Sequence, residues 1–425
     1  MTEGNHMDPL ERHIQFLLSL RGRSPQADAY SRRELFRLSA RYAIGGSALA
    51  MILAACGNSQ TTPTATSGSA GSGTSSPGAS SPAAEIELPM MKPEDVPEKL
   101  KGSGEVVAIS FGGAYQAAQR KAYFEPFTEL CGITVKEAEG PDLAKIKAMV
   151  DTGNVQWDLP EVGLDGIIAL ERQGDYWEPI NYDLVDVDNI DEAFRHKNAI
   201  AMNPYGLIYA YRADAFSGTP NGWADFWDAE KFPGPRAMEG GSGGLLPFLE
   251  AAVMADGVAK DKIYPMDIDQ AYASLEKIKP HVVKWWDAGA QPVQMLADKE
   301  AVLAQAWSGR ILTLQKQNPN LPVEIAWNQG ELAFDVWGIP KGAPNRENAQ
   351  KLAAFSTLPI SQARLSMLYP NGFVNNKSID YIPKEIASTL ATAPEHKEQL
   401  FFLDDNWWAD NREEVLKRWN TFILG

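Results

Sequence analysis

The chain has 425 residues, a formal net charge of −16 and a sequence pI of about 4.9. So acidic a chain is a poor partner for nucleic acid or for an anionic lipid surface. After Cys56 the only cysteine is Cys131, which excludes an intrachain disulfide and a cysteine-built zinc site beyond that point.

The N-terminal stretch reads as an export signal. Ser31-Arg32-Arg33-Glu34-Leu35-Phe36 is a twin-arginine pattern, and an apolar run from Ala43 ends in Leu53-Ala54-Ala55 immediately before Cys56. That run is too short to span a bilayer as a helix. It resembles the signal of bacterial lipoproteins, which implies lipidation of the Cys56 thiol and anchoring at the outer face of the membrane. Met7 is the expected start if translation begins closer to the arginine pair. Removing residues 1–55, which hold seven Arg and five Asp or Glu, leaves 32 basic against 50 acidic side chains, a charge of −18. From Gly57 to Ala84 the chain is almost wholly Ser, Thr, Gly, Pro and Ala, too polar and small to bury a core, and predicts a flexible tether.

The remaining body exceeds what one core usually organises, which predicts two lobes. Strands are expected at Glu105 to Ser110, Gly132 to Ala138, Asp158 to Val162, Ala199 to Arg212, Val302 to Trp307 and Val323 to Trp327. Helices are expected at Ala114 to Leu130 and at Asp142 to Asp151, where Leu143, Ile146 and Val150 share a face. Alternation of this kind predicts an α/β fold with mostly parallel sheets. Cys131, beside Gly132, reads as a small core residue.

Ligands of such sheets collect beyond the carboxyl ends of strands. Phe111 and Tyr115 follow the first strand within Ser110-Phe111-Gly112-Gly113-Ala114-Tyr115. Trp157 opens the third strand and Glu161 lies near its end. Trp307 heads Trp307-Ser308-Gly309-Arg310, and Asp335 and Trp337 flank Val336. Many of the twelve tryptophans, Trp223, Trp227, Trp407 and Trp408 among them, sit in helical patterns that predict packing instead.

The collinear series SFGGAYQ, WDLPEVG, NPYGLIYAYRADAF, WADFWDAEKFPG, WSGR and FDVWGIPKGAPN, closed by a C-terminal Trp pair, resembles the extracellular solute-binding proteins of ABC importers, specifically the spermidine/putrescine-binding-like group. It covers the body from about Gly104 to Gly425. The resemblance implies a two-lobed periplasmic-binding-protein fold of type II, with lobe one formed by 104–208 and 334–372, lobe two by 209–333 and 373–425, and residues 56–103 as lipidated cysteine and tether. Crossings are expected near Tyr209 to Arg212, Ala333 to Trp337 and Gly372. The implied role is binding alone: a monomer, with no cofactor, catalytic residue or metal, captures a small amine-bearing solute and delivers it to a permease driven by an ATPase.

Carried over by residue, Trp307 matches the ring that packs on the ligand's methylenes or cation, and Asp335 the carboxylate that pairs with an ammonium. Phe111 and Tyr115 match an aromatic loop, and Glu239 falls near an acidic pair. Departures are equally plain. Gly163-Leu164-Asp165 stands where polyamine binders carry a Ser/Tyr loop, Ala333 stands where they carry an aromatic, and Glu239 is followed by Gly240-Gly241-Ser242-Gly243-Gly244. That glycine run, or Arg236 or Arg310, could receive a carboxylate, which keeps a zwitterion such as a γ-amino acid as the alternative ligand.

An extracytoplasmic carboxylate-based hydrolase is the rival class, because acidic pairs suffice for glycoside chemistry. Against an enzyme stand His6, His13, His196, His281 and His396, which form no metal-binding spacing, and the lack of a phosphate loop.

Overall fold

The computed structural model describes residues 87–241 and 247–424. The export signal, Cys56, most of the tether and part of the glycine run after Gly240 lie outside the described residues. The described residues all belong to the second of two compact units, which begins at Pro82. Packing against its cores starts upstream of Gly104: Val96, which follows a short 3-10 turn at Pro93–Asp95, and Leu100, which ends another at Glu98–Leu100, are buried.

A ten-stranded sheet organises this unit. Strands β1 (Glu105–Ser110), β2 (Thr134–Glu139) and β3 (Leu159–Gly163) are mutually parallel at one flank. The two-residue strands β4 (Trp177–Glu178) and β5 (Arg195–His196) lie off the main path. Two long strands occupy the middle, β6 (Ala199–Arg212) and, later, β10 (Val323–Pro340). At the other flank β7 (Arg236–Glu239) lies parallel to β8 (Val282–Trp286) and β9 (Leu303–Trp307). The order is β2-β1-β3-β10-β6-β9-β7-β8. β6 and β10 pair with each other antiparallel, and each also pairs antiparallel with the parallel flank beside it. Each parallel flank is therefore joined side by side to one of these two central strands, β3 to β10 and β9 to β6.

Local chemistry accounts for the elements around the site. β1 alternates half-buried and buried residues before entering the core completely, and β3 is buried from Leu159 to Val162, as a strand covered on both faces requires. Gly112 turns the chain out of β1 with φ at 73°, where an added Cβ would lie 2.8 Å from the Glu139 carboxylate. Helices α1 (Gly113–Gln119) and α2 (Glu125–Cys131) are joined through a π turn at Arg120–Phe124. Asp142 caps α3 (Leu143–Asp151), its carboxylate accepting from the Lys145 amide. β3 runs directly into α4 (Leu164–Glu171).

The second flank carries α5 (Trp223–Trp227), α6 (Leu249–Ala255), α7 (Ile268–Ile278), α8 (Ala290–Ala297) and α9 (Ser308–Gln317). After β10 come α10 (Arg346–Ser356), α11 (Pro359–Leu368) and the twenty-residue α12 (Asp405–Leu424). Among the described residues no helix is long and apolar enough to cross a membrane.

Two large apolar cores flank the central strands. One gathers Val106, Ile109, Phe127, Leu159, Ile167, Trp337 and Phe355; the other gathers Tyr209, Trp223, Phe226, Leu249, Trp408 and Trp419. Cys131 is buried in the first core, and burial pushes its thiol up to about 11.

Candidate ligand cleft

A cavity of about 590 Å³ opens between the two cores. It is lined from the first core's side by Phe111, Glu161, Gly163 and Asp165, from the second by Glu239, Phe248, Glu250, Trp307 and Trp408, and from the central strands by Tyr205, Glu331 and Asp335. Such a volume suits a small solute.

Glu161 is fully buried and held from three sides. Ser110 Oγ donates to its Oε2 at 2.7 Å, Gln119 Nε2 to the same oxygen at 2.9 Å, and the Tyr115 hydroxyl to Oε1 at 2.6 Å. Burial, then repulsion from Asp335, raises its carboxyl, so Glu161 keeps its proton and donates it in a hydrogen bond to Asp335. Asp335 also accepts from Asn203 Nδ2 at 2.9 Å, and Asn203 is held in turn by Asn371 Nδ2 at 2.9 Å. The β6–β10 register shifts at this point, Asp335 facing Asn203 while Val336 faces Ala201, so Met202 is skipped. A bulge of this kind re-aims side chains at a functional rim.

Trp307 is half-buried and wedged edge-on against Tyr205 and Trp286, with ring centroids 6.5 and 5.6 Å away and the Arg310 guanidinium 5.3 Å over its ring. Phe111 is 54% exposed at the mouth. Glu239 is buried. Its amide donates to Gln305 Oε1 at 3.0 Å and its Oε2 accepts from Gln305 Nε2 at 3.3 Å, while burial pushes the carboxyl up to about 8.

Of the eight residues expected at a ligand, Phe111, Glu161, Glu239, Trp307 and Asp335 meet at this cavity. Tyr115 stands behind it, hydrogen-bonded to Glu161 and edge-on to Tyr369 with ring centroids 5.2 Å apart. Trp157 and Trp337 are not among its lining residues. Trp157 is buried under Lys145, whose ammonium sits 4.1 Å from the ring centroid. Trp337 is fully buried and donates from Nε1 to Ser356 Oγ at 3.1 Å.

Arg236 does not face a ligand either: its guanidinium is buried and donates to the backbone carbonyls of Phe226, Asp228, Phe232 and Gly234. Asp158 binds locally, accepting from the Val107 amide and from both the amide and side chain of Asn345. Trp408 packs, as its helical pattern predicts, yet also lines the cavity and donates to Glu250 Oε1 at 2.7 Å. Sequence reasoning missed Gln119, Asn203, Tyr205, Glu250, Glu331, Asp405 and Arg412. Among these, only the Asn203-Pro204-Tyr205-Gly206 stretch carried a motif.

Among the described residues no group of His, Cys, Asp or Glu is arranged to hold a metal ion. The cavity is instead lined by carboxylates. Eight line it, and the one basic side chain among the described lining residues, Arg412, is paired with Asp165. Tyr205, in their midst, is raised well above the usual phenol range by burial and then by Asp335, Glu331, Glu239 and Glu161.

Residues 122–394 match the family described as bacterial extracellular solute-binding protein. A γ-aminobutyric acid-binding protein of Pseudomonas aeruginosa is 34% identical over 75% of this chain and 91% of its own length. An ABC transporter substrate-binding protein from Bradyrhizobium japonicum is 35% identical with a TM-score of 0.69, over 75% of this chain and 99% of that one. A GABA receptor structure is 32% identical, also with a TM-score of 0.69, over 75% of this chain and 97% of that one. The fold, the cleft and these likenesses agree: the chain belongs to the bacterial extracellular solute-binding proteins of ABC transporters, which are transport components working outside the cytoplasm.

Proposed function

We propose that this chain captures a small solute bearing a primary amine and hands it to a membrane permease, energy coming from the partner ATPase. The observation that carries this reading is the Glu161–Asp335 pair. One buried carboxyl keeps its proton, its neighbour holds the charge, and neither enters an ion pair among the described residues. A ligand ammonium supplies the missing charge-assisted partner, and Trp307 supplies a ring face for the carbon beside it.

The likeness to γ-aminobutyrate-binding relatives supports an amine end and brings that zwitterion forward, with short polyamines as the other class. In this reading lobe one comprises 104–208 and 334–372, lobe two comprises 209–333 and 373–425, and closure about β6 and β10 traps the ligand because both lobes contact it. The monomeric chain is tethered through lipidated Cys56. Mass spectrometry of the membrane-associated protein tests the anchor, with acylated Cys56 at the mature N-terminus expected and an unmodified soluble form against it.

A thermal-shift panel of γ-aminobutyrate, putrescine, spermidine, amino acids and oligosaccharides tests the ligand class. Saturating ligand stabilises by mass action, so at least one primary amine raises the melting temperature by several degrees. A response confined to sugars contradicts the reading.

A further inference from the structure

The sequence Pro-Asn-Gly-aromatic occurs twice, as Pro220-Asn221-Gly222-Trp223 and as Pro370-Asn371-Gly372-Phe373. In an Asn-Gly pair the glycine amide nitrogen can attack the asparagine side-chain carbonyl carbon, because glycine has no Cβ to block the approach and few limits on its backbone angles. The new C–N bond closes a five-membered succinimide, and the side-chain nitrogen leaves as ammonia with the proton lost from the glycine amide. Water then opens the ring to aspartate or to isoaspartate, in which the main chain runs through the side-chain carbon.

The two pairs sit in opposite surroundings. Asn371 is buried, its Nδ2 donates to Asn203 Oδ1 at 2.9 Å, and the Gly372 amide donates to the Pro204 carbonyl at 2.6 Å, so both reacting groups are held. Asn221 is exposed on the loop that leads into α5, and its main-chain amide donates to Asp225 Oδ2 at 2.8 Å. Among the described residues neither the Asn221 side chain nor the Gly222 amide enters a hydrogen bond. Gly222 holds φ at 90°, and an added Cβ would lie 2.5 Å from Gln329 Oε1, so the fold keeps glycine, and with it the reactive pair, at this turn.

The residues directly after Asn221 tie α5 to the central strands. The Gly222 carbonyl accepts from the Tyr209 hydroxyl at 3.2 Å, the Trp223 amide donates to Gln329 Oε1 at 3.0 Å, and Trp223 Nε1 donates to the Gln329 carbonyl at 2.8 Å. Gln329 lies inside the register shift of β10 between Ala326 and Glu331, holds φ at 65° and donates from its own amide to the Gln399 carbonyl at 3.1 Å. An isoaspartate at 221 inserts an extra methylene into the main chain immediately before these bonds. We propose that Asn221 is a site of spontaneous deamidation in the folded chain, from which Asn371 is protected, and that its isoaspartate product loosens the tie between Trp223 and Gln329.

The test is timed incubation of the whole protein at mildly alkaline pH, where the glycine amide gives up its proton more readily. Peptide mapping by mass spectrometry follows, with digestion by a protease that cuts before aspartate but not before isoaspartate. Conversion at Asn221 and none at Asn371 is expected in the folded chain, and conversion at both in urea. Over the same incubation the melting temperature of the parent is expected to fall by a few degrees, the effect of weakening the two Trp223–Gln329 hydrogen bonds in a body of this size. Asn221→Gln, whose longer side chain would have to close a six-membered ring, is expected to keep its initial value. Fresh Asn221→Asp carries the charge of the product on an ordinary main chain and is expected to melt with the fresh parent, which separates charge from main-chain lengthening.

An intact Asn221 in the folded chain when both pairs have converted in urea, or equal conversion of the two pairs in the folded chain, overturns the site. Conversion at Asn221 with an unchanged melting temperature, or a fall shared by Asn221→Gln, overturns the loosening.

Discussion

Glu161 and Asp335 are diagonal neighbours on adjacent strands: Asp335 lies opposite Gly163 in the β3–β10 ladder and Glu161 opposite Trp337, and the two carboxyls share one hydrogen bond. Two acids so close cannot both ionise cheaply, so the pair carries a single charge, held on Asp335. The two substitutions are therefore unequal. Asp335→Asn removes the charge and is expected to weaken amine binding by more than about tenfold. Glu161→Gln replaces a group that is already neutral and is expected to cost clearly less. Calorimetry on both variants checks the order, and a larger loss in Glu161→Gln would reverse the assignment of charge.

Acidity of the cleft links binding to pH. Glu239 has an ordinary value of 4.5 and is pushed up to about 8 by burial, so between those values the folded chain holds a proton that the unfolded chain has lost. Its contribution to stability is complete below pH 4.5 and disappears as pH rises through about 8. An ammonium favours the ionised carboxylate, so affinity is expected to rise from about pH 5.5 toward about 8 with net proton release, before the amine itself deprotonates at about 10. Calorimetric titrations in buffers of different ionisation enthalpy measure that proton, and an affinity independent of pH would contradict the linkage.

Trp307 is fixed by Tyr205 and Trp286, so its face is offered at little ordering cost. Trp307→Ala is expected to weaken an amine by about 1 kcal/mol or more, roughly fivefold, and Trp307→Phe by less. Loss of ligand-induced change in tryptophan fluorescence in the alanine variant provides a second readout.

Arg236 provides a control in which stability and binding part company. Its guanidinium is buried on four backbone carbonyls, so Arg236→Met leaves those acceptors unsatisfied and is expected to destabilise the fold by about 2–4 kcal/mol. At a temperature where the variant is folded, ligand affinity is expected to match the parent. A selective loss of affinity would place Arg236 at the ligand.

Two ion pairs join α4 and the residue that caps its C-terminus to α12, α4 packing in the first core and α12 in the second: Arg412 with Asp165, and Arg172 with Asp410. Arg172 also donates to the Asn406 carbonyl at 3.2 Å. The Arg172 pair is exposed and is worth less than about 1 kcal/mol to folding. Its expected effect is on lobe closure: Arg172→Met combined with Asp165→Asn should enlarge the radius of gyration of the ligand-free chain in solution scattering. Saturating ligand should restore compactness, and identical scattering from parent and variant would count against a clasp.

Legibility in the sequence followed the strength of local pattern. β6 could be read to both its ends because fourteen residues of nearly continuous burial lie between turn signals. β10 was legible only as Val323 to Trp327, since Asn328-Gln329-Gly330-Glu331 breaks the apolar run where the strand bulges and continues to Pro340. β7 and β8 were missed because they are short and gain their pairing from distant partners. In the site, residues at or near strand ends were visible, as Phe111 just after β1, Glu161 late in β3 and Trp307 at the end of β9 illustrate. Glu250 was not, because a single acid in Leu249-Glu250-Ala251-Ala252-Val253-Met254 looks like the exposed face of an apolar helix. Tertiary packing against Tyr264 and Trp408 buries it instead. Trp157, ahead of β3, and Trp337, inside β10, are buried in the core instead, the latter opposite Glu161 in the β3–β10 register.

A primary amine held by the charge on Asp335 is what this cleft is proposed to bind. Calorimetric titration of parent and Asp335→Asn with putrescine and γ-aminobutyrate decides the matter. Saturable one-site binding of at least one of them by the parent is expected, reduced by more than about tenfold in the variant. Equal affinity in parent and variant, or binding of neither amine, would contradict it.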